Sequence, residues 1–170
     1  MASSKSSKFA SAVALVAAVV GIGAASIIVP FVAGHEGEVL NGYLDPVGVA
    51  TKCYGDTHDV TVGKPYTRDE CLRSLADQLV AHAEPVLSCT PCLAGRDKPL
   101  AAAVSLAYNI GTAAYCKSSV ARYFNAGEYE RGCRRISEIY TTAGGKELPG
   151  LVRRRKDESD MCLQGLKEGG

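Results

Sequence analysis

The spacing of apolar and polar residues divides the 170-residue chain into two unlike stretches. Residues 9–34 hold no ionisable side chain. As one helix, at about 1.5 Å per residue, they would extend roughly 39 Å, enough to cross a bilayer. From residue 35 onward the pattern is that of a soluble domain. The spacing predicts a short helix around His35–Asn41. Residues 43–65 are punctuated by Asp45-Pro46, Gly48, Gly55 and Gly63-Lys64-Pro65, which predicts a small antiparallel sheet with tight turns. Thr67-Arg68-Asp69-Glu70 has the form of a capping box. Cys71, Leu72, Leu75, Leu79 and Ala83 follow it at helical spacing, with Pro85 and Pro91 bounding the helix. Further helices are predicted at about 98–109, stopped by Gly111, and near 117–125, 128–141 and 150–164, with Gly127 and Gly144-Gly145 between them. The fold class is α+β, with the sheet confined to one lobe of a single domain over residues 35–170.

Composition narrows the classes. Without Lys5 and Lys8 the chain carries 17 basic and 18 acidic residues, so the globular part has a net charge of −1. Nucleic-acid binding needs a clustered positive surface, and apart from the short run Arg153-Arg154-Arg155-Lys156 nothing supplies one. Tryptophan is absent, so aliphatic and alanine packing must build the core. The seven cysteines, Cys53, Cys71, Cys89, Cys92, Cys116, Cys133 and Cys162, all follow the apolar stretch. Cys89-Thr90-Pro91-Cys92 has the spacing of half a zinc site, but no second half follows. Structural disulfides in an oxidising compartment are the expectation, and the odd count leaves one thiol unpaired in a monomer.

The apolar stretch admits three readings: a cleaved signal peptide, a permanent anchor, or a weak anchor that later leaves the membrane. Lys5 and Lys8 precede it, which keeps the N-terminus cytoplasmic and exports the rest. Eight alanines, three glycines and two serines make up half of residues 9–34. Small residues add little to insertion, while the run exceeds the roughly 7–15 apolar residues of a signal-peptide core. Both features favour the weak anchor.

The stretch His35–Thr57 carries the candidate chemistry. Glu36 stands on the first predicted helix, Asp45 in a turn and Thr51 in a presumptive strand, and a helix-to-hairpin connection can gather them around one cleft. Two carboxyls and a hydroxyl suit inverting glycoside hydrolysis: one acid protonates the leaving oxygen, the other carboxylate activates water, and the hydroxyl holds that water. From the residues alone, solvated surface charge is the commoner reading of such a pair.

The pattern Glu36-x8-Asp45-x5-Thr51 resembles the catalytic signature of phage-type lysozymes, glycoside hydrolase family 24. Glu36-Gly37, Tyr43, Gly48 and Gly55 support it, as do Tyr66-Thr67-Arg68-Asp69-Glu70, Tyr108-Asn109-Ile110-Gly111, Gly144-Gly145-Lys146 and Gly150-Leu151-x2-Arg154-Arg155, in family order. With its weak N-terminal anchor, the chain resembles signal-anchor-release endolysins of the lambdoid phage 21 type. The resemblance implies a lysozyme-like fold, with residues 1–34 as the releasable anchor and 35–170 as the catalytic domain. It implies hydrolysis of the β-1,4 bond between N-acetylmuramic acid and N-acetylglucosamine, causing host lysis. Glu36 would be the general acid, Asp45 would activate water and Thr51 would position it. Asn109 would contact sugar, and Arg154 or Arg155 would lie near Glu36. No metal or organic cofactor is implied. The implied partners are peptidoglycan, the bacterial inner membrane through residues 9–34 and the host secretion machinery, with no nucleic acid and a monomeric state. The implied location is the inner membrane, then the periplasm. By the same resemblance Cys53 pairs with Cys71 and Cys133 with Cys162, the third bond lying among Cys89, Cys92 and Cys116.

The sequence departs from the family at Asp56, where a histidine is usual, which removes a histidine-based salt bridge from the small lobe. His35 reads as a helix-start or surface residue. Residues 1–34 contain no cysteine, so disulfide exchange from the anchor is not open to this chain. Two other functions are weighed against hydrolysis. A lytic transglycosylase needs one acid and no base, and the full Glu36, Asp45 and Thr51 set argues against it. A non-catalytic envelope-binding membrane protein has no need of so elaborate a soluble domain.

Overall fold

The computed structural model describes residues 2–168, with side chains from Phe9 onward. Two helices, α1 (Ala2–Val20) and α2 (Ile22–Glu36), are followed by the antiparallel pair β1 (Val39–Leu44) and β2 (Ala50–Cys53). The long helix α3 (Arg68–Cys89) and a 3-10 turn at Pro91–Leu93 lead to α4 (Asp97–Ile110), α5 (Thr112–Cys116), α6 (Ser119–Asn125) and α7 (Tyr129–Ile136). A two-residue hairpin, β3 (Thr142–Ala143) with β4 (Lys146–Glu147), precedes the last helix, α8 (Pro149–Glu168).

The single apolar helix expected over residues 9–34 is replaced by two. Gly21 adopts φ 83° and ψ 159°, an extended left-sided conformation that interrupts the helical ladder. Among the described residues no helix is long and apolar enough to cross a membrane. Instead α1 packs on α3 and α2 on α4. Ala12, Val16 and Val20, then Ala24, Ala25, Ile28, Val29 and Val32, are buried in the common core. Their spacing is that of a helical stripe facing protein, with Ser11, Ala14, Ala18, Ile22 and Ser26 left outside.

Helix α4 is the hub. Every residue from Pro99 to Ala107 is buried, because α2, α3 and α8 surround it. Its alanines at 101–103 let those neighbours approach closely. Helix α3 begins at the predicted capping box, Thr67 and Glu70 satisfying each other's backbone amides. Of the two prolines predicted to bound it, Pro85 lies inside the helix, which runs to Cys89, short of Pro91. An internal proline costs about 3 kcal/mol. Here the turn beyond it buries Val86, and a Cys89–Cys116 disulfide ties the helix end to α5. The helix predicted at His35–Asn41 is likewise corrected: Glu36 ends α2, Gly37 turns the chain at φ 75°, and residues from Val39 pair as strand. The β3–β4 hairpin replaces the loop read from Gly144-Gly145.

Disulfides join Cys53 to Cys71, Cys89 to Cys116 and Cys133 to Cys162, leaving Cys92 free. The first bond fastens the sheet lobe to α3, and the last fastens α7 to α8.

Candidate active site

Glu36 is the last residue of α2 and lies where that helix meets α8 and the sheet lobe. Its Oε1 accepts a hydrogen bond from Arg154 Nη1. Its side chain remains 20% exposed. On the Oε2 side stands the bare backbone of Gly55: a Cβ there would come within 3.7 Å of that oxygen. Thus one carboxyl oxygen is held by protein and the other faces a surface cleared of side chain.

Asp45 sits at the β1–β2 turn and builds it. Its Oδ1 accepts from the amides of Val47 (3.0 Å) and Val49 (2.8 Å), while its own amide donates to Val49 O (2.9 Å). Such an Asx turn explains why an aspartate suits this position. Thr51 lies opposite Tyr43 in the strand pair and is buried, its hydroxyl donating to Val49 O (3.0 Å). Asp45 and Thr51 therefore share Val49 as a backbone partner, so the turn sets both at once.

Beneath Glu36 lies a buried ionic cluster. Arg154 and Arg155 follow each other on α8, and both are buried, as is Glu158 one turn later. Arg154 is the arginine that reaches Glu36. Its Nε donates to Glu158 Oε1 (3.2 Å) and its Nη2 to the Ser105 carbonyl (3.2 Å). Arg155 turns instead to Asn109, donating from Nη2 to Oδ1 (3.1 Å), and to Glu158 Oε1 (3.1 Å). Its Nε lies 2.9 Å from Glu158 Oε2, an ion-pair contact too bent for a hydrogen bond. Ser105 of α4 donates its hydroxyl to Glu158 Oε1 (2.7 Å). Burial raises the Glu158 pKa and lowers that of Arg155. Two guanidiniums contacting one carboxylate are the arrangement that keeps such groups charged inside a protein.

His35 belongs to the same neighbourhood, at the end of α2 and not at a helix start. It is half-buried, with Phe31 4.7 Å from its ring and Asp157 Oδ2 3.6 Å from Nε2. Burial first, then the Arg154 charge, pushes its pKa below 6.5, against the opposing pull of Asp157 and Glu36.

The small lobe is held by a different acid. Asp56, 5% exposed, accepts from Ser74 Oγ (2.5 Å) on α3 and from the His58 amide (2.9 Å), with His58 Nδ1 at 3.2 Å and Lys52 Nζ at 3.4 Å. In place of the expected histidine stands a carboxylate at 56, with the Lys52 ammonium and the His58 ring beside it. Tyr108 of α4 completes the lobe contact by donating to the Tyr54 carbonyl (3.0 Å). Tyr54 in turn donates to Glu38 (2.9 Å), and burial with that bond raises its pKa to about 12.

Sequence reasoning named Glu36, Asp45, Thr51, Asn109 and Arg154 but missed Glu158, Ser105 and the His35–Asp157 pair. The i,i+4 spacing of Arg154 and Glu158 was readable; that the pair points inward at α2 was not. Among the described residues no group of three or more histidine, cysteine, aspartate or glutamate side chains is arranged to hold a metal ion.

A helical body with a small antiparallel lobe, and an acid held at their junction, defines a lysozyme-like protein. The phage lysozyme family matches residues 33–158, and the chain belongs to that family. It is a glycoside hydrolase of the lysozyme class. It is 34% identical over 164 residues to the SAR-endolysin of Enterobacteria phage P21, covering 88% of this chain and 94% of that one. To the SAR-endolysin of Bacteriophage PS119 it is 36% identical over 135 residues, 78% of each chain. The fold resembles the crystal structure of the active form of P1 phage endolysin Lyz, with a TM-score of 0.79 and 23% identity over 93% of this chain and 94% of that one. It also resembles a mutant P22 lysozyme (TM-score 0.71, 26% identity, 79% of this chain and 94% of that one).

Proposed function

We propose that the chain is an endolysin that cuts the β-1,4 bond between N-acetylmuramic acid and N-acetylglucosamine in peptidoglycan, lysing the host for phage release. Glu36 donates its proton to the glycosidic oxygen as the bond from that oxygen to C1 breaks. Asp45 takes a proton from the water whose oxygen attacks C1 from the opposite face, and buried Thr51 holds that water. Asp45 Oδ1 is committed to its turn, which leaves Oδ2 as the base. Arg154 orients Glu36, and exposed Asn109 offers its amide nitrogen to sugar. The observation that carries the reading is the seating of Glu36, with one oxygen on Arg154 and the other against Gly55. On purified peptidoglycan, Glu36→Gln should abolish release of reducing ends. Retained activity would reject Glu36 as the acid, and 1,6-anhydro products from the parent would make it a transglycosylase.

We infer further that residues 1–34 serve as a signal-anchor-release segment and 35–170 as the catalytic domain. The protein is first held in the inner membrane with its N-terminus cytoplasmic, inserted by the host secretion machinery, and then released as a monomer into the periplasm. The SAR-endolysin designation of its relatives supports this reading. So does the double use of the apolar stretch. A valine or isoleucine gives only a few tenths of a kcal/mol towards insertion. Burial from water in a core is worth about 1.5–3 kcal/mol for the same side chain. Val16, Val20, Ile28, Val29 and Val32 all find such burial here.

A further inference from the structure

Glu158 makes no contact with the cleft, yet it is the carboxylate on which both buried arginines of α8 meet. It is fully buried, and its Oε1 gathers three donors, Ser105 Oγ, Arg154 Nε and Arg155 Nη2. Arg154 bridges two carboxylates, Glu158 from its Nε edge and Glu36 from its Nη1 tip. Two arginines and two carboxylates thus form a balanced set, and Glu36 is its only member with a free oxygen facing Gly55.

The geometry points to Glu158 as a positioning residue of this site, a buried carboxylate that locks Arg154 against Glu36 and shares the arginine's charge. The inference rests on Glu36 being the acid. A carboxylate sealed inside a protein is costly, and several kcal/mol of desolvation must be offset by contacts. A hydrophobic side chain at 158 would escape that cost but leave the buried guanidiniums of Arg154 and Arg155 without their shared anion, so it is the charge at 158 that holds them in place. With Glu158 in place, Arg154 divides its attraction between two anions. Without it, Glu36 becomes the arginine's sole counter-ion, and the proton Glu36 must donate is lost at lower pH. Other groups facing the cluster are His35 from α2, Ser105, Tyr108 and Asn109 from α4, Asp157 from α8 and Asp56 from the sheet lobe. Glu158→Gln leaves each of these side chains in place.

The test compares pH profiles of kcat and KM for the purified full chain, Glu158→Gln and Glu36→Gln on soluble peptidoglycan fragments. Glutamine keeps the size and removes the charge. Glu158→Gln should lower kcat about 10- to 100-fold, less than the roughly 100- to 10,000-fold that a general acid contributes. KM should change little, and the alkaline limb should move to lower pH. If Glu158→Gln folds and its alkaline limb coincides with the parent's, the positioning role is rejected and the residue is structural. If it does not fold, Ser105→Ala decides: it deletes a 2.7 Å donor to Glu158, and with it a longer 3.4 Å acceptor of Arg154 Nη2, without changing charge. A weakened hold on Glu158 raises its pull on Arg154, so the limb should then move the opposite way, to higher pH, and an unmoved limb overturns the proposal. Activity surviving in Glu36→Gln is a separate failure, that of the acid assignment itself.

Discussion

Gly23 of α2 lies directly against the Asp97 carboxylate at the start of α4: a Cβ built on Gly23 would stand 1.9 Å from Oδ2. No side chain fits unless Asp97 moves. The small residues of the apolar stretch therefore answer to close packing on the catalytic body, and, on the proposed anchor role, to weak membrane insertion as well.

Leucine substitutions separate those demands. On the outer face, Ala14→Leu with Ala18→Leu adds apolar surface without touching the core. This variant should be retained in membranes longer and lyse later, while the detergent-free released protein melts and cuts peptidoglycan like the parent. On the inner face, Gly23→Leu or Ala24→Leu should also destabilise the released protein, by about 1–3 kcal/mol each through overpacking. Membrane fractionation alongside thermal melts distinguishes the two. Equal melting of both classes would show that the packing of α2 on α4 does not matter to the released form.

Asp45 has a structural oxygen as well as a proposed chemical one. Asp45→Asn keeps an acceptor for the Val47 and Val49 amides and should fold normally while losing nearly all hydrolysis. Asp45→Ala should lose hydrolysis and also loosen the turn, by about 0.5–1.5 kcal/mol for each hydrogen bond forgone. Urea denaturation of both proteins, beside their rates of reducing-end release, measures the difference.

The disulfides close loops of 18, 27 and 29 residues. Each should contribute about 2–4 kcal/mol, chiefly by restricting the unfolded chain. Replacing Cys53 and Cys71 by serine should cost activity before it costs helical content, because that bond fastens the lobe bearing Asp45 and Thr51 to α3. Cys92→Ser should change neither. Peptide mapping without reduction should recover the three bonds and a free thiol at Cys92.

Asp56 links the small lobe to pH. Burial works against its charge, but hydrogen bonds from Ser74 and His58 and the Lys52 ammonium outweigh it, so its pKa lies below 3.8 in the folded protein. A carboxyl depressed on folding stabilises the protein above its unfolded pKa and loses that contribution as pH falls through the folded value. Asp56→Ala should therefore cost about 1.5–3 kcal/mol at neutral pH. The gap to the parent should close below pH 3.8. A gap that persists at low pH would mean the residue matters for packing and not for charge.

His35 acts in the same direction by a different route. Its folded pKa is lowered below 6.5, so the unfolded chain binds the extra proton first and stability declines as pH drops below that value. His35→Gln should flatten the stability curve between pH 7 and 5 in calorimetric scans. An unchanged slope would show that Asp157 cancels the burial effect.

Much of this protein was legible from local pattern. The capping box at Thr67–Glu70, the turn at Asp45 and the helical spacing of Leu72, Leu75 and Leu79 are near-neighbour facts, and each appears where the chain predicted it. The proline at 85 was misread because a local penalty was overruled by distant contacts, the burial of Val86 and the bond from Cys89 to Cys116. The first half of β1, Val39–Asn41, was misread as helix because its pairing partner, β2, decides it.

Local spacing also placed Glu36, Asp45 and Thr51 along the chain, since 15 consecutive intervals of one helix-to-hairpin connection hold them. What surrounds Glu36 came only from the tertiary structure. Arg154, 118 positions away, reaches it because α8 crosses α4, and Glu158 and Ser105 meet there for the same reason. The apolar stretch shows the division most plainly. Composition determined that residues 9–34 are uncharged and half made of alanine, glycine and serine. Whether they form one long helix or two short ones depends on what they face. Gly21 gives the chain freedom to break, and the burial offered by α3 and α4 decides that it does.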